Sequence, residues 1–192
     1  MLLNLDKIEP NRIAAIDSEG GVVTYGDICC RAEEIRSQYI ERSFCIFLVE
    51  NSAECLKELM AMLCSGCLVP LILNKKTDEN LLQTLLQSYG DTGSAIHPDL
   101  SHLLPTSGST GSPKLIRHKY ENIEAAALNI STFFELKESD RPLLVLPLYY
   151  TMGLSVVFSH LKVGATVLIT GRNMTDPVFW KFLKEQRATS FT

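Results

Sequence analysis

The sequence predicts an α/β fold: largely parallel sheets with helices on both faces. Three observations carry this. Short β-rich apolar runs alternate along the chain with amphipathic runs of helical length. The connections between successive strands are mostly ten or more residues long, which suits right-handed βαβ crossovers. Runs such as "SFCIFLVE" and "CLVPLIL" are nearly continuous in apolar residues, as in strands buried on both faces.

Each element has its own signal. "RIAAID" and "GVVTY" predict two short strands around the turn "SEGG". Thr24 is placed as the N-cap of a helix through "GDICCRAEEIRSQYI". "SFCIFLVE" is a buried strand. Ser52 caps a helix that runs to Leu63, and Gly66 ends it. "CLVPLIL" is the next strand and Asp78 to Tyr89 the next helix, followed by "SAIHP" and "HLLPT" as short strands. Beyond a glycine-rich stretch come helix "ENIEAAALNISTFFEL", strand "LLVLP", helix "GLSVVFSHLK", strand "TVLIT" and helix "DPVFWKFLKEQR". "ATSFT" then opens a further buried strand. A natural domain seldom stops at that point, so the sequence reads as a fragment. Residues 1–104 are a first α/β part, and 105–192 carry the glycine-rich stretch and the βαβ units after it.

Totals narrow the function. The 192 residues are 46% hydrophobic and 21% charged, with a net charge of −4, which fits one domain with a substantial core. No basic run exceeds "NKK" at 74–76, so nucleic acid is not the expected partner. "MLLNLDKIEPNR" is no signal peptide, because Asp6 and Lys7 interrupt its short apolar part. "LLVLPLYYTMGLSVVF" is the most apolar stretch. Pro147 and Gly153 mark it as core rather than a membrane span. A cytoplasmic location and reduced, buried thiols are expected for the six cysteines. "CSGC" at 64–67 has redox or zinc spacing. It follows an apolar helix instead of opening one and has no second CxxC, so it reads as small core residues.

The stretch "LLPTSGSTGSPKLIRHKYENI", 103–123, carries the chemistry. Glycines let a ligand approach the backbone, and successive N–H groups of such a loop converge on anions. Ser107, Ser109, Thr110 and Ser112 add hydroxyls, Thr106 opens the loop after a strand, and Lys114 supplies a point charge suited to phosphate. Strand, glycine-rich turn, lysine and helix together make a phosphate cradle. Composition alone leaves a plain surface turn with a solvated lysine equally open. The Walker A spacing fails, since Ser112 and Pro113 separate Gly111 from Lys114, and the dinucleotide fingerprint fails too.

"TSGSTGSPK" resembles the phosphate-binding motif of the adenylate-forming superfamily, which includes acyl-CoA synthetases, luciferases and peptide-synthetase adenylation domains. Other segments match in order: "AAIDSEGGVVTYGDI", "FLVENSAECLKELMAMLCSGCLVPL", "SDRPLLVLPLYYTMGLS" and "LKVGATVLI". The resemblance implies an incomplete N-terminal domain of such an enzyme, closest in look to acyl-CoA synthetases. It implies attack of a small-molecule carboxylate on the α-phosphate of ATP with Mg²⁺, followed by transfer to CoA or to the phosphopantetheine of an acyl carrier protein. It assigns ATP phosphate contacts to Thr106, Ser107, Gly108, Ser109, Thr110, Gly111 and Lys114, and an acyl-substrate pocket to Tyr150, Met152 and Gly153.

The sequence departs from the family pattern at Leu115 (usually Gly), at Tyr120 and at Tyr150 (both commonly His). His118 receives no role. As core aromatic and thioether side chains at a strand end, Tyr150 and Met152 have a plain reading as well. The family's adenine contacts, metal-binding glutamate, ribose-binding aspartate and catalytic lysine fall beyond Thr192. No catalytic residue is therefore assigned, and these 192 residues alone are expected to be inactive or nearly so. Two other functions fit the sequence: a non-catalytic module binding a nucleotide or a partner protein, and an amino-acid adenylation domain. The latter would be expected to show an aspartate between Pro147 and Ser155, and there is none.

Overall fold

The computed structural model describes residues 1–89, 95–106 and 114–191. A short 3₁₀ segment, Leu2–Lys7, precedes two sheets. The first has the order β2-β1-β8-β7-β9, formed by Val22–Thr24, Ile13–Asp17, Val167–Ile169, Pro142–Leu144 and Ser190–Phe191. The second has the order β3-β4-β5-β6, formed by Ser43–Val49, Leu68–Asn74, Leu100–Pro105 and Leu115–Lys119. Each sheet is parallel except for one antiparallel edge pair: β1–β2 in the first and β5–β6 in the second.

Side-chain alternation along the strands sorts the helices into layers. Ala15, Val167 and Ile169 of the first sheet and Val49, Ile72 and Leu104 of the second share one core. Between them lie α1 (Tyr25–Gln38), α2 (Ala53–Ser65), α4 (Tyr120–Phe133) and α5 (Thr151–Lys162), which contribute Ile28, Leu59, Ile123 and Leu161. The outer face of the first sheet, at Leu143 and Leu168, takes Phe179 and Phe182 of α6 (Pro177–Glu185). The outer face of the second, at Leu71, Leu73 and Leu103, takes Leu85 of α3 (Glu79–Tyr89). The order is helix, sheet, helices, sheet, helix. Full burial of a side chain such as Phe179 stabilises this by about 2–3 kcal/mol.

The predicted helix caps are present. Thr24 and Asp27 form a capping box: the Asp27 N–H donates to Thr24 Oγ1 at 3.1 Å, and the Thr24 N–H donates to the Asp27 carboxylate at 2.8 Å. Ser52 Oγ accepts the Cys55 N–H at 3.1 Å. Gly66 ends α2 with φ at +72°, a left-handed turn that glycine adopts without strain.

Two side chains tie the connections together. The buried Asp17 carboxylate accepts from the Gly21 N–H at 2.7 Å and the Glu19 N–H at 3.0 Å, and reaches the Ala53 N–H at the start of α2 at 2.9 Å. Asn51 Nδ2 donates to the carbonyls of Leu146 (3.2 Å) and Thr170 (3.3 Å), while its Oδ1 accepts the Leu148 N–H at 3.1 Å. One amide side chain thus pins the β7–α5 connection to the end of β8.

Several expectations are corrected. Residues 95–97 of "SAIHP" are not a strand. The strand read as "LLVLP" covers only Pro142–Leu144, because Leu146 and Leu148 turn their backbone toward Asn51. The glycine-rich stretch does not run directly into a helix: "LIRHK" forms β6 first, an edge strand whose mostly exposed residues give little apolar alternation. Ser190 and Phe191 pair with β7 but are exposed, not buried. Cys30 is exposed and only Cys64 is fully buried, although all six cysteines are free thiols as expected. Among the described residues no helix is long and apolar enough to cross a membrane.

Candidate functional site

β5 and β6 form an antiparallel hairpin, and in sequence the glycine-rich stretch is the connection between them. β5 runs parallel to β4, so the stretch leaves the sheet at the carboxyl end of its parallel strands, where open α/β sheets bind ligands. β6 returns in register, with Pro105 opposite Leu115, Leu104 opposite Ile116 and Leu103 opposite Arg117. The last rung is the Thr106 N–H donating to the Lys114 carbonyl at 2.8 Å. Thr106 is half-buried and Lys114 is exposed. Of the other phosphate-site residues read from the sequence, Ser107, Gly108, Ser109, Thr110 and Gly111 lie outside the described residues.

The three residues assigned to an acyl pocket sit together at the start of α5 but take different positions. Tyr150 occupies the N-cap position, 54% exposed, with its ring against Tyr149 at 4.7 Å. Met152 is 68% exposed and lines a cleft of about 1060 Å³. Ile130 of α4 and Phe134 just after it, Val156 and His160 of α5, and Phe191 of β9 complete much of its wall. Gly153 is buried and does not line the cleft. A Cβ there would come within 2.4 Å of the Pro147 carbonyl oxygen, so its lack of a side chain lets α5 close onto the preceding connection.

A second, smaller pocket of about 170 Å³ lies between the β5–β6 hairpin, α4 and α5. Thr151 and Ser155 line both spaces. His102 and His118 meet here from opposite strands, with ring centroids 4.4 Å apart and ring planes within 5° of parallel. Burial, with the neighbouring His118, pushes His102 down to about 3, and burial lowers His118 as well. Both rings are therefore neutral at pH 7. Sequence reading missed this pair: two histidines sixteen positions apart carry no signal until the antiparallel pairing is known. Asn51 and Asp17 were also missed, since their partners lie on other elements. No three His, Cys, Asp or Glu side chains come together as a metal site among the described residues.

Burial pushes Cys64 up to about 12 and Cys45 up to about 11, so neither holds a thiolate near neutral pH.

Known proteins agree with this arrangement. Oxalate–CoA ligase of Arabidopsis thaliana is 37% identical over 100 residues, covering 50% of this chain and 19% of that protein. 2-Succinylbenzoate–CoA ligase of Bacillus licheniformis is 33% identical over 91 residues, covering 47% of this chain and 19% of the ligase. ATP-bound MatB from Rhodopseudomonas palustris superposes on 100% of this chain with a TM-score of 0.81 at 19% identity. MenE from Bacillus subtilis, in complex with ATP and magnesium ion, superposes on 99% with a TM-score of 0.76 at 21% identity. The chain spans 49% of that MatB chain and 62% of that MenE chain. The model of the AMP-binding enzyme family matches residues 31–192. With its parallel sheets, its glycine-rich hairpin and this match over most of its length, the chain belongs to the AMP-binding enzyme family.

Proposed function

We propose that this chain supplies the ATP phosphate-binding half of an AMP-forming carboxylate ligase of the acyl-CoA synthetase type. The observation that carries the reading is the β5–β6 hairpin. "TSGSTGSPK" joins its two strands in sequence, and the ends Thr106 and Lys114 are hydrogen-bonded at the carboxyl end of β5, which supports the reading. In this reading Thr106, Ser107, Gly108, Ser109, Thr110, Gly111 and Lys114 bind the nucleotide's phosphates, with Mg²⁺ arriving on the nucleotide. Backbone N–H groups and hydroxyls offset the negative charge that grows on the leaving pyrophosphate. No side chain has to form a covalent bond. Lys114 is exposed, which leaves its ammonium group free to meet a phosphate.

The carboxylate substrate lies on the α5 side, with Met152 on the wall of its cleft; Tyr150, exposed at the start of α5, is not among the residues that line it. Gly153 serves indirectly, by letting α5 seat against Pro147. The thiol acceptor is CoA or a carrier-protein phosphopantetheine. CoA ligases among the similar sequences support the first, and a linear gramicidin synthase subunit of Brevibacillus parabrevis, 28% identical over 95 residues, keeps the second in view.

The test is carboxylate-dependent ATP–pyrophosphate exchange by the full-length protein, with fatty, aryl and amino acids. Exchange with fatty or aryl acids supports the reading. Exchange with amino acids alone makes it an amino-acid adenylation domain, and ATP binding without any exchange makes it a binding module.

A further inference from the structure

The β5–β6 hairpin holds a stacked histidine pair that the phosphate-binding reading does not use. The pair is tightly built. Ser101 Oγ donates to the His118 carbonyl at 2.8 Å and lies 3.0 Å from His102 Nδ1. A hydroxyl has one proton to give. Once it goes to the carbonyl, His102 Nδ1 must carry its own hydrogen and donate to Ser101. His102 is then the Nδ1–H tautomer, with its lone pair on Nε2. His118 Nε2 is buried with no hydrogen-bond partner. Phe158 meets the His102 ring edge-on at 6.3 Å.

Among the described residues, no acidic side chain lines the pocket to balance a proton on the buried His102 or the half-buried His118. The pocket around the pair is lined by Leu104, Asn122, Ile123, Ala126, Leu154 and Phe158, with Thr151 and Ser155 as its hydroxyl groups. The charged side chains on the surrounding elements are engaged elsewhere. On α4, Glu121 pairs with Lys119, and Glu124 pairs with Lys162 and accepts the Leu3 N–H. On β6, Arg117 is exposed. His160 of α5 bonds the Val156 carbonyl. Asp99, before β5, lies near Lys119 and His97. Arg42 bonds the His97 and Leu100 carbonyls and stacks on Tyr120. β4 contributes no ionisable side chain. β6 is an edge of its sheet and, among the described residues, pairs only with β5.

We infer that the His102–His118 stack is an acid-sensitive latch on the hairpin. Neutral rings hold β6 against β5, and protonation releases β6 together with the Thr106–Lys114 rung at the base of the glycine-rich loop. The sign follows from linkage. In the open hairpin both rings are solvated and take a proton near their ordinary value of about 6.5. In the closed hairpin burial lowers both. Opening therefore takes up protons, and its equilibrium constant rises about tenfold per pH unit below about 6.5 for one proton, or about a hundredfold for two. The latch is a property of the hairpin itself. Only its consequence, weaker nucleotide binding in acid, rests on the proposed phosphate site.

The experiment is amide hydrogen exchange of the 192-residue chain, read by NMR at the Thr106 N–H between about pH 7.5 and pH 4.5, corrected for intrinsic exchange rates. Histidine ring resonances are followed in the same samples. The expected result is a rise in the opening constant of at least about tenfold per pH unit in acid, with neither ring titrating near 6.5 while the hairpin is closed. His102→Gln/His118→Gln removes both titrating groups and should abolish the slope. Rings that titrate near 6.5 in a closed hairpin overturn the latch, as does a pH-independent opening constant. If the double variant does not fold, the wild-type ring titration and exchange decide alone. ATP titrations at both pH values judge the nucleotide consequence separately: no binding at either pH sinks the phosphate site and leaves the latch standing.

Discussion

The Thr106 N–H donates to the Lys114 carbonyl at 2.8 Å, so the two ends of the glycine-rich stretch are joined before any ligand arrives. Thr106 follows the buried strand β5, and Lys114 precedes the edge strand β6. A pre-closed base lowers the ordering cost that a phosphate ligand would otherwise have to meet.

Lys114→Met should weaken ATP binding to the chain by about 10–100-fold, the loss of one charge-assisted contact. Because Lys114 is exposed, the melting temperature should not change. Isothermal titration with Mg-ATP, paired with thermal melts, tests this. An unchanged affinity would remove Lys114 from the phosphate site.

Asn51→Ala removes three hydrogen bonds at once and strands the Leu148 N–H. A loss of about 2–4 kcal/mol is expected, seen as a lower urea midpoint at constant slope. A change below the noise of the fit would show that the β7–α5 connection is held by other contacts.

Gly153→Ala should destabilise by about 1–3 kcal/mol, since its methyl group would overlap the Pro147 carbonyl. Gly171→Ala is the control, because nothing lies within 4 Å of a Cβ there. Equal stability of the two variants would mean that the Gly153 contact relaxes freely.

Thiol labelling should follow exposure. Brief alkylation near pH 8, mapped by peptide mass spectrometry, should mark the exposed Cys30 first. Cys45 and Cys64 should lag, because burial pushes their thiols up to about 11 and about 12 and the thiolate is the reactive form. Early labelling of Cys64 would show that α2 is not packed as described.

Local chemistry was legible in the sequence wherever the partners are neighbours. Thr24, Ser52 and Gly66 act within one helical turn, so their residue types alone place the ends of α1 and α2. The apolar run of β4 likewise announces burial on both faces, whereas the similar run of β3 is a sheet edge and only half-buried, against the sequence expectation. β6 was hidden because an edge strand with exposed residues carries almost no apolar alternation, and β5 alone defines it. The true end of β7 was hidden because its last residues answer to Asn51, nearly a hundred positions away.

By itself, then, the sequence determined the alternation of strands and helices, their caps and the glycine-rich motif, all set by short-range periodicity and backbone preference. Tertiary structure alone decided that the chain folds as two sheets sharing one layer of helices, that Met152 faces a cleft while Gly153 packs, and that His102 stacks on His118. Those outcomes depend on which distant strands pair and in what register, and on the burial that pairing imposes. Neither is a property of any short stretch of sequence.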